Sequence, residues 1–469
     1  MRPAATARPP SDAGGALYEG RRKIYPRAVT GWYARWRSVL VWFTQIIYYG
    51  LPWLSWGGRP AVLFDLEARR FYLFNLVLYP QDFIYLTALL VISALGLFLF
   101  TAVAGRLWCG YACPQTVYTE IFMWIERRIE GDRNARMRLD RAPMSVNKFA
   151  RKAAKHLAWI VIALWTGITF VGYFTPIDQL LAGIAGFTLG PWQSFWVLFY
   201  GFATWGNAGF MREQVCKYMC PYARFQSVMF DKDTMIITYD GARGEPRGVR
   251  SRKADLATLG LGECVDCNVC VQVCPTGIDI RDGLQIECIG CAACIDGCDQ
   301  VMDRMGYPRG LIRYTTQNAL DNRLDRRAIW RRVLRPRVLI YSSILLAVTI
   351  AVLAHLILRA PVKADVIRDS ALGREVADGM IENSYRVQII NPSERTRRFR
   401  IAVRGIDTVF IVGATEFDLE PAGVRLVPVS ARIEADHGVP GSNRIVFRIE
   451  AVDDPAVAAE AQSTFFVPR

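Results

Sequence analysis

Eight of the chain's twelve cysteines fall in two runs with the same spacing. Cys264-x2-Cys267-x2-Cys270-x3-Cys274 is followed by Pro275. Cys288-x2-Cys291-x2-Cys294-x3-Cys298 is followed by Asp299, where a proline would complete the pattern. Three thiolates on one tight loop can clasp three corners of an iron–sulfur cube, and the fourth corner comes from elsewhere. In two-cluster ferredoxins the last cysteine of each run serves the other cluster. The pattern therefore groups Cys264, Cys267, Cys270 and Cys298 around one [4Fe–4S] cluster, and Cys288, Cys291, Cys294 and Cys274 around a second. A pair of structural zinc sites would also use four cysteines each, but such sites are built from C-x2-C knuckles. Two clusters in one small fold suit an electron relay better than a structural clip.

The other four cysteines form a repeat of their own. Cys109-Gly-Tyr-Ala-Cys113-Pro114 and Cys216-Lys-Tyr-Met-Cys220-Pro221 are both C-x3-C-P with a central tyrosine, and each follows an apolar stretch. Proline favours the first turn of a new helix, so Cys113 and Cys220 read as helix N-caps. A helix N-terminus lowers a thiol pKa. Soft thiolates select Cu(I), zinc or iron–sulfur, so a metal-binding or dithiol redox site fits better than buried cysteines that merely pack. The spacing differs from the ferredoxin runs and does not indicate a third cluster. The last 171 residues contain no cysteine, and this clustering argues for metal rather than a disulfide scaffold.

Elements must position these thiols. The chain has 469 residues, 52 % hydrophobic and 21 % charged, and a mean hydropathy of +0.16, which suggests a mixed membrane and soluble protein. Five stretches are candidate spans: Val39–Trp56, Phe83–Ala104, Leu157–Phe174, Trp192–Phe210 and Val338–Leu358. Lysine plus arginine number 8, 3, 11, 0, 20 and 15 in the segments outside them. The short segments alternate, which places 1–38, 105–156 and 211–337 in the cytoplasm and the segment after the fifth span outside. The net charge of +14 is then mostly topological, and no groove-reading motif supports nucleic-acid binding. Both C-x3-C-P motifs and both ferredoxin runs share the cytoplasmic face. Met1–Gly20 has no apolar core and reads as a flexible tail rather than a signal peptide.

Residues 360–469 carry strand-like runs at Tyr385–Ile390, Arg398–Val403, Thr408–Val412, Val424–Ile433, Arg444–Val452 and Ser463–Val467, the pattern of a β-sandwich with no metal cluster. The chain thus reads as multidomain: an α-helical membrane bundle of about five spans, an inserted two-cluster ferredoxin-like α+β module, and a C-terminal all-β immunoglobulin-like sandwich. The divisions are an N-terminal tail (1–38), membrane helices with the two motifs (39–237), a linker and cluster module (238–337), a fifth span (338–358) and the sandwich (359–469). His156 and His355 read as structural and His437 as a loop residue. Met211 and Met219 read as packing residues, and Asp82 as an ion handle or helix cap.

The two C-x3-C-P motifs, the two ferredoxin runs, Arg22-Lys23-Ile24-Tyr25-Pro26-Arg27, Tyr79-Pro80-Gln81-Asp82-Phe83 and the terminal sandwich together resemble the FixG/RdxA/CcoG family of polyferredoxins. The resemblance covers nearly the whole chain. It implies an inner-membrane accessory protein that reduces Cu(II) to Cu(I) for assembly of the cbb3-type cytochrome c oxidase. It also implies that Cys109, Cys113, Cys216 and Cys220 are copper or redox thiols. The implied partners are a cytoplasmic electron donor, copper-delivery and oxidase-assembly factors, and membrane lipid. The alternatives are a copper-binding assembly scaffold without turnover, or an electron-transfer subunit that exchanges with quinone.

Overall fold

The computed structural model describes residues 23–369, 373–376, 379–393 and 395–468, so the tail read over Met1–Gly20 lies outside the described residues, as does Arg22. In chain order the principal helices are α1 (Trp32–Gly50), α2 (Phe83–Ala104), α3 (Leu107–Tyr111), α4 (Pro114–Glu130), α5 (Arg133–Arg141), α6 (Val146–Gly172), α7 (Ile177–Ala185), α8 (Pro191–Thr204), α9 (Pro221–Met229), α10 (Val269–Val273), α11 (Ala293–Met305), α12 (Arg326–Val333) and α13 (Pro336–Ile357). Three helical segments are long and apolar enough to cross a membrane: Pro80–Ala104, Val146–Gly172 and Pro336–Ile357. The other two candidate stretches are also helical. Helix α1 begins at Trp32 rather than Val39, because Arg37 is buried and hydrogen-bonded inside the fold instead of ending the helix. Helix α8 passes into π-helical turns at Trp205–Met211 and Val215–Met219.

The chain divides into two compact units, each assembled from separated stretches. The first takes the chain up to Val41, Phe100–Ile160 and Trp205–Val333. Its module closes where β4 (Ile236–Tyr239) pairs antiparallel with β5 (Ile312–Thr315), bringing the ends of the cysteine-bearing segment together. Helices α10 and α11 each start just before the third cysteine of a run. Helix α4 buries Val117, Phe122 and Ile125 on one face, with Glu126 and Glu130 among them. Glu126 is matched by Arg136 and Arg212, each at 2.9 Å, and Glu130 by Lys155 at 3.0 Å. Burial pushes the Glu126 carboxyl up, but Arg212, Arg136 and Lys155 outweigh it and hold its pKa below the usual value.

The second unit takes Trp42–Leu99, Val161–Thr204 and Leu334–Arg469. Between α1 and α2, where the sequence reading placed only a loop, the chain forms a meander of β1 (Val62–Asp65), β2 (Arg70–Leu73) and β3 (Leu76–Leu78). Its strands are three or four residues long, too short for period-2 alternation to stand out. Asp82 resolves as a cap and a clamp. It accepts from the backbone N–H of Tyr79 at 3.1 Å and from Arg359 at 2.6 Å, and it pairs with Lys363. Tyr79 in turn donates to the carbonyl of Ala422 at 2.9 Å.

The C-terminal sandwich has more strands than the six or seven expected. They are β6 (Lys363–Arg368), β7 (Arg374–Val376), β8 (Met380–Ile390), β9 (Arg397–Arg404), β10 (Phe410–Val412), β11 (Glu416–Leu419), β12 (Val424–Glu434), β13 (Gly441–Ala451) and β14 (Ala458–Val467). One sheet runs β10-β12-β8-β6 with β7 also on β8, and the other runs β11-β9-β13-β14. Of the unexpected strands, β6 and β7 are charged edge strands, a common way to blunt a sheet edge and one that hides the apolar alternation, and β11 is only four residues long. Along β13, buried Ile445, Phe447 and Ile449 alternate with partly exposed Val446, Arg448 and Glu450, the period of a half-buried strand. The sandwich brings Glu434, Asp436 and His437 together in an exposed trio within 4.8 Å.

Candidate functional site

Each cysteine run is shaped by the same backbone device. Asp266 and Asn268 flank Cys267 with φ of 48° and 56°, and Gly290 and Ala292 flank Cys291 with φ of 71° and 59°. Left-handed residues on both sides of the second cysteine curl the loop and gather its N–H groups into a concavity of the kind that holds anionic clusters. Two cavities of about 330 Å³ lie in the module. One is lined by Cys264, Cys267, Cys270 and Cys298. The other is lined by Cys274, Cys288, Cys291 and Cys294, and by Cys270 as well. The remaining lining of the second cavity is mostly apolar, with Ile237, Ile278 and Ile280 beside Thr276, while the first also takes Tyr239, Asn268 and Arg281.

The donor spacing bears on what these cavities fit. Among the described residues, the one trio of His, Cys, Asp or Glu with ligand atoms within 4.8 Å is the exposed Glu434, Asp436 and His437. Thiolates sharing one tetrahedral zinc at about 2.3 Å would stand roughly 4 Å apart. Thiolates on separate corners of a cube stand farther apart, so the cysteines fit a cluster better than a single ion. Burial pushes Cys270, Cys288 and Cys298 up to about 12, and it raises Cys291 and Cys294 as well. Such thiols ionise only when iron displaces the proton.

The four C-x3-C-P thiols gather on the same unit. They are close enough to oppose one another's ionisation. Burial first, then Cys113, Cys109 and Cys220, push Cys216 up to about 12, and burial with Cys113 pushes Cys109 up to about 11. Cys113 and Cys220 are the N-caps of α4 and α9, with Pro114 and Pro221 in the first turn, as read from the sequence. The expected lowering of the N-cap thiol is reversed at Cys113. The N–H groups of Gln115 and Thr116 pull its pKa down, but burial dominates and the net shift is upward.

The two copies differ. Tyr111 of the first motif is buried, whereas Tyr218 of the second is 39 % exposed. The first copy lies on the α-helical α3 and the second on π-helical turns. Met211 and Met219 are exposed, contrary to the packing role read for them.

The structure joins the two sets of cysteines. Cys109 and Cys216, the first thiol of each motif, pack with Cys291 and Cys294 around Val273 and Ile289. The contact is backbone to backbone: a Cβ on Gly110 would lie 2.8 Å from the carbonyl of Gly290 and 2.9 Å from the Cα of Cys291. Buried Arg106 pins the junction. Its guanidinium donates to the carbonyls of Ile286, just before the second run, of Cys288 and of Ala223 on α9. Cys109 donates to Oε1 of fully buried Gln226 at 3.3 Å, and Gln226 donates to Thr101 at 3.3 Å. Arg37 donates to the carbonyl of Cys291 at 3.2 Å. Sequence reasoning missed Arg106, Gln226 and Arg37. A lone amide on the apolar face of α9 was the available signal for Gln226. A cavity of about 550 Å³ opens beside this junction, lined by Cys216, Cys291, Glu120, Glu213, Arg37 and Arg212 among others.

His156 lies edge-on to Trp159 and stacked on Phe210, with ring centroids at 5.1 Å and 5.7 Å. His355 Nδ1 meets the Tyr85 hydroxyl at 2.8 Å, and His437 contacts Asp436 at 2.9 Å.

The cysteine cavities, the curled loops and the apolar helices define a class: a membrane-associated iron–sulfur electron-transfer protein with ferredoxin-type clusters. Comparison with known proteins agrees. Residues 211–317 match the profile of a 4Fe-4S dicluster domain, residues 86–131 that of a 4Fe-4S binding domain, and residues 352–468 that of the IG-like fold at the C-terminus of FixG. The chain is 41 % identical to the nitrogen fixation protein FixG of Rhizobium meliloti over 84 % of its own length and 81 % of the relative's. It is 43 % identical to protein RdxA of Cereibacter sphaeroides over 83 % of its length and 84 % of the relative's, and 40 % identical to RdxB of the same organism over 90 % and 89 %. The chain belongs to the FixG/RdxA family.

Proposed function

We propose that the protein is a cupric reductase of the bacterial inner membrane that supplies Cu(I) during assembly of a cbb3-type cytochrome c oxidase. Cys264, Cys267, Cys270 and Cys298 hold one [4Fe–4S] cluster, and Cys274, Cys288, Cys291 and Cys294 the other. When bound, the clusters supply electrons one at a time. The substrate Cu(II) takes one electron to become Cu(I) at Cys109, Cys113, Cys216 and Cys220, whose soft thiolates favour the product. Arg106 and Gln226 orient these thiols, and Val273 and Ile289 pack beside Cys109 and Cys216. The reducing face is cytoplasmic, as the lysine and arginine distribution supports, and the sandwich is periplasmic.

The observation that carries this reading is the packing of Cys109 and Cys216 against Cys291 and Cys294, which sets the two thiol groups side by side. The test is anaerobic: Cu(II) is added to dithionite-reduced protein freed of excess reductant, and Cu(I) is followed with a chromogenic chelator. Replacing all four C-x3-C-P cysteines by serine should abolish copper reduction. Reduction that survives the quadruple change would sink the site.

A second reading rests on the match of residues 86–131 to a 4Fe-4S binding domain, in which Cys109 and Cys113 are the only cysteines. The four thiols would then hold a third cluster. Iron analysis of the quadruple variant separates the two. Unchanged iron supports a copper site, and loss of about a third of the iron supports a third cluster.

A further inference from the structure

Electrons must reach the module from a donor, and the surface shows where one fits. Of the twelve cysteines, Cys267 alone is exposed; all five lining the other cluster cavity are buried or partly so. The first cavity is therefore the one nearest solvent. The segment running from Arg247 to Lys253 adjoins it at Cys264. The N–H of Gly248 donates to the carbonyl of Cys264 at 3.3 Å, and Arg250 donates to the same carbonyl at 3.1 Å. Arg250 also lies over the Tyr307 ring, which packs against Cys264 and Cys298. Arg252 approaches the chain at Gly306.

Four carboxylates of the module are paired with arginines. Asp266 and Asp279 each pair with Arg281 at 2.6 Å, Glu263 with Arg243 at 2.5 Å and Asp303 with Arg309 at 2.7 Å. Asp299 accepts from the N–H of Gly310 at 3.0 Å. Arg252 and Lys253 are exposed and have no carboxylate partner among the described residues. Exposed Val249 and Leu259 add apolar area to the same rim. An exposed redox end, a cationic rim and an apolar patch make a surface complementary to an acidic protein.

We infer that the face formed by Cys267, Val249, Arg252 and Lys253 is the docking surface for an acidic one-electron carrier protein of the flavodoxin or ferredoxin type. This rests on the electron-transfer reading but not on copper as the acceptor, so a failure of copper reduction leaves it standing. The test uses the full chain in detergent with its clusters in place, and flavodoxin as the probe. Affinity should weaken about tenfold or more between about 0.05 M and about 0.5 M salt. The double change Arg252→Glu and Lys253→Glu should weaken it about tenfold at low salt, while the cluster absorbance stays unchanged and Arg404→Glu on the sandwich has no effect. Carbodiimide, which joins an amine to a carboxylate, should link Lys253 to the probe. Affinity indifferent to both salt and charge reversal, or cross-links that map to lysines elsewhere, would overturn the assignment.

Discussion

The thiols are tuned by burial more than by their place at helix ends. Cys109 and Cys216 are pushed up to about 11 and about 12, so both are protonated at neutral pH and a metal must displace their protons. Copper affinity should therefore rise with pH across the neutral range. Its logarithm should climb by about one per pH unit for each thiol displaced, and the rise should level off only as the solution reaches the raised pKa values. Competition titrations against a Cu(I) chelator at several pH values measure that slope, and a flat profile would mean thiolates already formed. Arg106 acts on the same groups. Its charge favours the thiolates of Cys109, Cys216 and Cys288 against burial. Arg106→Gln removes a cation beside the second run, and adding an electron to a cluster there becomes harder. One of the two EPR-monitored midpoint potentials should fall by tens of millivolts while the other holds. A common shift, or none, would reduce Arg106 to a packing role.

At the scale of elements, α3 and the loop from Cys288 to Cys291 touch through Gly110 and Gly290, where neither side has a side chain to give way. Gly110→Ala should push the two apart at a cost of about 1–3 kcal/mol. Iron content and EPR signal should show loss or distortion at the second run, with the first run intact. Undisturbed spectra and an unchanged melting temperature would show that the loop has slack. Much of this element layer was legible beforehand. The two cysteine runs, the helix starts at Pro114 and Pro221 and the apolar helices α2 and α13 were read directly, because spacing, proline and long apolar runs are local signals. The early start of α1 was not. Arg37 interrupts the apolar run, and only its partners Cys291 and Glu120 make a charge tolerable there. The meander β1–β3 was missed for a related reason, since strands of three or four residues gain their stability from pairing.

On the scale of the whole molecule, the second unit depends on one buried carboxylate. Asp82 holds Arg359 and Lys363, and its neighbour Tyr79 reaches the sandwich at Ala422. Asp82→Ala leaves the half-buried Arg359 charge without its partner and should cost about 1–3 kcal/mol. Thermal unfolding in detergent should show the loss, and limited proteolysis should cut the chain before the sandwich faster. Equal stability would mean that Arg359 reaches water when its partner is removed. By itself the sequence determined that two cysteine runs are spaced for iron–sulfur clusters, because ligand spacing is written along the chain. The tertiary structure alone decided that the C-x3-C-P thiols meet the second ferredoxin loop, that Gln226 and Arg106 serve them, and that burial overrides the helix end at Cys113. Those outcomes depend on close approach and desolvation between segments about a hundred residues or more apart, which no local pattern encodes.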